Sequence, residues 1–212
     1  MAQESQGPER WEKTIQALEQ RDRTDPDPAG AILFVGSSSI RLWETMAEQM
    51  APYPTIRRGY GGAKFDDVDH YAKRLIYPHR PRAIVFFVGN DVSGAENDKS
   101  PEQVVALVDS IVGKIRAKHA ETPIFFIEVT PTNRRWAVWP KIRAVNAALA
   151  EYCSDNHRVH LISTAGHFLN QEGKPIGELF RDDQLHLNSD GYALWTKIIK
   201  RRLNQVLQKE TK

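Results

Sequence analysis

A single cysteine, Cys153, stands in the 212 residues, so no disulfide can form within the chain. With Leu149 and Tyr152 as neighbours it reads as a buried core residue. No apolar run approaches the ~20 residues that a membrane-spanning helix needs. Charge of one sign is lacking too: 29 basic side chains face 27 acidic ones, a formal net charge of +2. That balance gives no strong pull toward nucleic acid or an acidic membrane, and neither is expected as a partner. Lys197, Lys200, Arg201 and Arg202 gather late in the chain, where a solvated basic helix face is the simplest reading. The opening Met1-Ala-Gln-Glu-Ser-Gln6 has neither a basic n-region nor an apolar h-region. As written, the chain is expected in the cytoplasm; with a leader already removed, the periplasm or the exterior fits as well. Internal repeats, low-complexity tracts and internal linkers are absent. The length suits one domain over residues 1–212, with 1–28 packed on it as an N-terminal helix and Pro-rich connection.

What is present is alternation of helical patterns with short apolar runs. Trp11, Ile15 and Leu18 recur at helical spacing between Pro8 and Arg23. After Asp25-Pro-Asp-Pro28 comes Ala31-Ile-Leu-Phe-Val35, an unbroken apolar run of the kind buried on both faces of a parallel sheet. A helix is expected over Ile40 to Met50, a short strand over Thr55 to Arg58, and a helix over Lys64 to Ile76. Arg82 to Val88 is the clearest strand. Ser100 and Pro101 cap a helix that runs to about His119. A strand over Pro123 to Val129, a helix over Lys141 to Tyr152 and a strand over Val159 to Ile162 follow. A last helix starts near Ser189 or Asp190. Strand–helix alternation five times over predicts an α/β protein with a doubly wound parallel sheet and right-handed crossovers. In such sheets ligands bind beyond the carboxyl ends of the strands.

The residues at those ends carry chemistry. Gly36-Ser37-Ser38-Ser39 follows the first strand, Gly59-Tyr60-Gly61-Gly62 the second and Gly89-Asn90-Asp91 the third. Asp183-Gln-Leu-His186 lies near the C-terminus. Together they offer a hydroxyl, backbone amides, a carboxamide, and an imidazole with a carboxylate three residues before it. Acyl transfer needs that set: a hydroxyl nucleophile, a base within hydrogen-bond reach, a group that orients the base, and donors for the developing oxyanion. Simpler readings exist for each part. Ser38 can serve as a helix N-cap, the glycines as a tight turn and Asn90 as a left-handed turn residue. Six other histidines compete with His186: His70, His79, His119, His157, His160 and His167. Asp67-Val-Asp-His70 repeats the Asp-x-x-His spacing, but there Asp66, Asp67 and Lys73 suit the polar face of a helix.

Taken in order, the four segments resemble the SGNH (GDSL-type) hydrolases, named for a Ser, a Gly, an Asn and a His in four separate blocks. Phe34-Val-Gly-Ser-Ser-Ser-Ile-Arg-Leu-Trp43 resembles the first block, Arg58-Gly-Tyr-Gly-Gly62 the second, Gly89-Asn90-Asp91 the third and Asp183-Gln-Leu-His186 the last. The resemblance implies a three-layer α/β/α flavodoxin-like fold with a five-stranded parallel sheet. It implies Ser38 as nucleophile, His186 as base and Asp183 as its partner. The Ser38 amide, Gly62 and Asn90 would form the oxyanion hole, with no cofactor and no metal. The implied function is a serine esterase acting on a small-molecule carboxylic ester, with acetyl on a carbohydrate as the first expectation. The alternatives are a lysophospholipase or thioesterase, or a non-catalytic carbohydrate-binding module of the same fold. Two positions depart from the family pattern: Ser37 stands where an Asp is usual, and Val88 where the third block usually opens with Gly. Thr130-Pro-Thr-Asn133 with Arg134, Arg135 and Trp136 is expected to form a loop that can line a substrate pocket. Nothing in the sequence sets the oligomeric state.

Overall fold

The structure, a computed structural model, describes residues 7–208; the Met1–Gln6 start considered above lies outside them. Five strands, β1 (Ile32–Gly36), β2 (Thr55–Gly59), β3 (Ala83–Phe87), β4 (Ile124–Ile127) and β5 (Val159–Ile162), form one sheet. All its pairings are parallel and its order is β2-β1-β3-β4-β5. This is the flavodoxin-like order, and it switches direction beside β1. The expected fold class is thus the observed one. β1, β3 and β4 are buried throughout, which is why they read as unbroken apolar runs.

Alternate side chains of each strand enter two cores. Leu33, Val35, Ile84, Phe86 and Phe126 face one, with residues from α1 (Glu12–Thr24), α4 (Phe65–Ile76), α5 (Pro101–Arg116) and α6 (Trp139–Asp155). Ile32, Phe34, Val85, Phe125 and Ile127 face the other, with residues from α2 (Ser38–Arg41), α3 (Met46–Met50) and α7 (Ser189–Leu207). Each fully buried Ile, Leu or Phe contributes roughly 1.5–3 kcal/mol of transfer free energy to this three-layer arrangement. Cys153 is buried in the first core, as expected. Val88 packs there too, so an apolar residue at that position adds core contacts.

The helix starts follow their sequence signals. Ser100 Oγ accepts the Gln103 N–H at 3.3 Å while Gln103 Oε1 accepts the Ser100 N–H at 2.9 Å, a reciprocal cap ahead of Pro101. Asn188 Oδ1 accepts the N–H groups of Asp190 and Gly191, both at 3.0 Å, and opens α7.

Two expectations need correction. The helix expected over Ile40 to Met50 is two short pieces, α2 and α3, with non-helical chain between them. The break buries Trp43, whose ring stacks on Tyr192 at 5.4 Å. Its carbonyl accepts Arg57 Nη1 at 2.7 Å and its indole N–H donates to Gln49 at 2.6 Å. Packing against α7 and β2 therefore overrides the local helical pattern. Asp67 is not on a polar helix face but fully buried. It accepts the Lys64 N–H at 2.9 Å and pairs with Arg10 at 2.7 Å, while His70 stays exposed.

Candidate active site

The β1 turn is built by close approach. Gly36 has φ +152°, and a Cβ there would overlap the Phe87 carbonyl oxygen. The Ser37 N–H donates to that same carbonyl at 3.0 Å. A Cβ at Gly59 would overlap the backbone of α2. These two glycines let the Ser37–Ser39 turn lie against the ends of both flanking strands. Tyr192 Oη holds it from the other side, donating to the Ser39 carbonyl at 2.8 Å.

The His186 loop is organised differently. Its ends are joined by an antiparallel bridge between Phe180 and Leu187, and the Arg181 N–H donates to the His186 carbonyl at 2.8 Å. Gln184 sits at φ +54°, in the left-handed region, and this turns Asp183 back toward His186. Asp183 Oδ1 accepts the N–H groups of Leu185 at 3.0 Å and His186 at 2.9 Å, leaving Oδ2 for the ring.

His186 Nδ1 lies 2.6 Å from Asp183 Oδ2, and Nε2 lies 2.9 Å from Ser38 Oγ. Residues 148 apart in the chain are thus within one hydrogen bond. Of the three consecutive serines, Ser38 is the one that meets the ring. Burial raises the Asp183 carboxyl, but the His186 ring and the two backbone N–H groups outweigh it and bring it down to about 2. Asp183 is therefore ionised at neutral pH beside the imidazole.

A small open cleft lies here, with Ser38, Asn90, Arg135 and His186 among its polar lining and Phe87, Val129, Leu185 and Leu187 among its apolar walls. Asn90 Nδ2 donates to the Ala63 carbonyl at 3.0 Å, which ties the third block to the turn after β2. Asp91, buried one residue later, accepts the Phe65 N–H at 3.1 Å and pairs with Lys99 at 3.1 Å. Gly62, at φ +75°, stands exposed in the turn after β2 and outside the cleft lining. The loop expected beyond β4 winds into a short 3₁₀ turn, Asn133–Val138, and brings Arg135 into the cleft.

Sequence reasoning missed two features. Arg135 donates to the Gly89 carbonyl and, at 2.7 Å, to Asn90 Oδ1; the sequence marked it only as a possible pocket residue. His79 lies buried beside Asp27 at 2.7 Å and Asp22 at 3.8 Å, with Asp22 also paired to Arg58. No sequence spacing signals that cluster, and no hydroxyl in it could act as a nucleophile. Among the described residues no group of three or more His, Cys, Asp or Glu side chains is arranged to hold a metal ion.

Residues 29–194 match the family model described as the GDSL-like Lipase/Acylhydrolase family. The chain belongs to that family. Solved structures agree on the fold of this GDSL-like acylhydrolase. A GDSL-like lipase from Bacteroides thetaiotaomicron is 17% identical, with 90% of this chain and 97% of that one covered and a TM-score of 0.77. A carbohydrate esterase family 3 protein from Talaromyces cellulolyticus is 16% identical, over 84% and 98%, with a TM-score of 0.66. An acetyl xylan esterase is 20% identical, over 82% and 99%, with a TM-score of 0.67. No curated protein sequence matches the chain. Among the described residues no helix of this GDSL-like acylhydrolase is long and apolar enough to cross a membrane.

Proposed function

We propose that this acylhydrolase is a serine esterase that cleaves a small carboxylic ester through a covalent acyl-enzyme. The observation that carries the reading is the continuous hydrogen-bonded line Asp183–His186–Ser38, at 2.6 and 2.9 Å. With the Nδ1 proton directed at Asp183, Nε2 turns its lone pair to the Ser38 hydroxyl. Ser38 Oγ attacks the ester carbonyl while His186 takes its proton. Asp183 holds the ring and stabilises the imidazolium without accepting the proton. The tetrahedral oxygen is held by the Ser38 N–H, the Gly62 N–H and the Asn90 amide. His186 then protonates the departing alcohol, water enters, and the same base activates it to release the acid.

For the substrate we propose a short acyl group, acetyl on a carbohydrate first. The cleft is walled closely by Phe87, Leu185 and Leu187, which suits a small acyl chain. Two structural neighbours, a carbohydrate esterase and an acetyl xylan esterase, point the same way.

A fluorophosphonate probe tests the nucleophile. It is expected to label Ser38 stoichiometrically, and Ser38→Ala is expected to lose both labelling and hydrolysis of p-nitrophenyl acetate. His186→Ala should lower kcat on the order of 10⁴-fold. Equal background rates in wild type and His186→Ala would instead identify a non-catalytic binding module, and full turnover by Ser38→Ala would refute the nucleophile.

A further inference from the structure

A primary amide has two nearly symmetric ends. Turned by half a rotation, the Asn90 side chain would offer an acceptor where it now offers a donor. An oxyanion site works only with the NH₂ end facing the substrate oxygen, so something must choose the orientation. Two partners bear on that choice, the Arg135 guanidinium at Oδ1 and the Ala63 carbonyl at Nδ2. A guanidinium has N–H donors and no acceptor, and its Nη2 sits 2.7 Å from Asn90 Oδ1. Its other arm, Nη1, donates to the Gly89 carbonyl and holds the adjoining backbone. On the far side, Asn90 Nδ2 gives one hydrogen to the Ala63 carbonyl at 3.0 Å. A flipped amide would press its NH₂ against the guanidinium and its oxygen against that carbonyl. The second Nδ2 hydrogen is committed to no other group, and Asn90 lines the same cleft as Ser38 and His186.

We infer that Arg135 is a positioning residue of the oxyanion site, locking the Asn90 amide so that one N–H faces the oxygen of the tetrahedral intermediate. The inference rests on the reading of Asn90 as an oxyanion donor. Accepting a charge-assisted bond at Oδ1 also polarises the amide and makes its N–H a stronger donor. No carboxylate among the described residues pairs with Arg135. Asp98 and Asp91 favour its charge from beyond ion-pair distance, so the guanidinium stays charged and its donors stay committed to Asn90 and Gly89. The loop that carries Arg135 is itself anchored. The Arg135 N–H donates to Thr132 Oγ1 at 3.2 Å, and the Arg134 N–H to the Gln184 carbonyl at 3.1 Å, in the His186 loop.

A double-mutant cycle separates this role from simple packing. Wild type, Arg135→Gln, Asn90→Ala and the double variant are compared by kcat and KM on p-nitrophenyl acetate, with thermal unfolding as a check on folding. Arg135→Gln is expected to lower kcat about 30-fold with KM within about twofold. In the Asn90→Ala background the same change should cost less than about threefold, because the residue acts through Asn90. Added guanidinium should restore Arg135→Ala roughly tenfold when Asn90 is present and not when it is absent. If Arg135→Gln fails to fold, Arg135→Lys enters the same cycle. It keeps the charge but cannot span both acceptors, so the same coupling is expected. Equal losses in both backgrounds, or full activity in Arg135→Gln or Asn90→Ala, would overturn the inference. An inactive Ser38→Ala with no coupling in the cycle defeats only the role of Arg135. An active Ser38→Ala defeats the nucleophile assignment itself.

Discussion

The two halves of the candidate site are held in place by different physics. The Ser38 half is built by burial: Gly36 and Gly59 let backbones meet, and Ser37, Ser39 and Val88 are packed away from water. The His186 half is built by local hydrogen bonds on an open loop, where the Asp183 side chain is 48% exposed and the His186 ring 22%. The first half shares its contacts with the sheet, so its geometry is tied to global stability. The second half can be altered while the core stays whole. Rate and stability should therefore separate across the cleft.

The largest effect is expected at Gly36. A Cβ there meets the Phe87 carbonyl, a backbone atom that cannot swing aside. Gly36→Ala should destabilise the protein on the order of 3 kcal/mol and remove activity with it. A urea midpoint equal to wild type would break the comparison. Asp183→Asn should do the reverse. It keeps the shape but removes the charge that orients His186, and kcat should fall on the order of 10³-fold. Its unfolding temperature should stay within about 2 °C of wild type. A large loss of stability would show that the loop, too, is bound to the core.

The smallest effect sharpens the same contrast. The Asp183 carboxyl is held at about 2 in the folded protein, below the ~3.9 of an unfolded chain. Its contribution to stability is thus fully present above about pH 4 and disappears as pH falls toward 2. Because the group is half exposed, that contribution is heavily screened. Unfolding temperatures of wild type and Asp183→Asn are expected to differ slightly at pH 6 and to converge near pH 2. Differential scanning fluorimetry across that range checks it, and a gap that widens in acid would reverse the sign.

Much of the fold was legible because buried strands announce themselves. Ile32 to Gly36 and Ala83 to Phe87 have no polar alternation, and nothing but a two-sided core accommodates them. The chemistry-bearing segments were legible because the topology sends β1, β2 and β3 to one edge and their turns carry unusual residues. What stayed hidden depends on partners far along the chain. The break at Trp43 comes from a ring on α7, and Asp67 is buried against Arg10, 57 residues away. The aim of Arg135 at Asn90 is set by a loop path that no periodicity encodes. The Asp-x-x-His spacing alone fits Asp67 and His70 as well; His186 stood apart because Asp183-Gln-Leu-His186 closes the ordered set of four segments, and at three residues' separation a side chain can turn back to meet its neighbour.

Cys153 has a practical consequence. Its thiol is buried in the core and pushed up to about 12 by that burial, so almost no thiolate exists at working pH. The chain thus carries one sulfhydryl and conceals it. Maleimide dyes or spin labels could be installed at a cysteine introduced on an exposed position such as Ala137, with the native residue left in place. Distances from the 133–138 loop to a second reporter would then become measurable in an otherwise unaltered molecule.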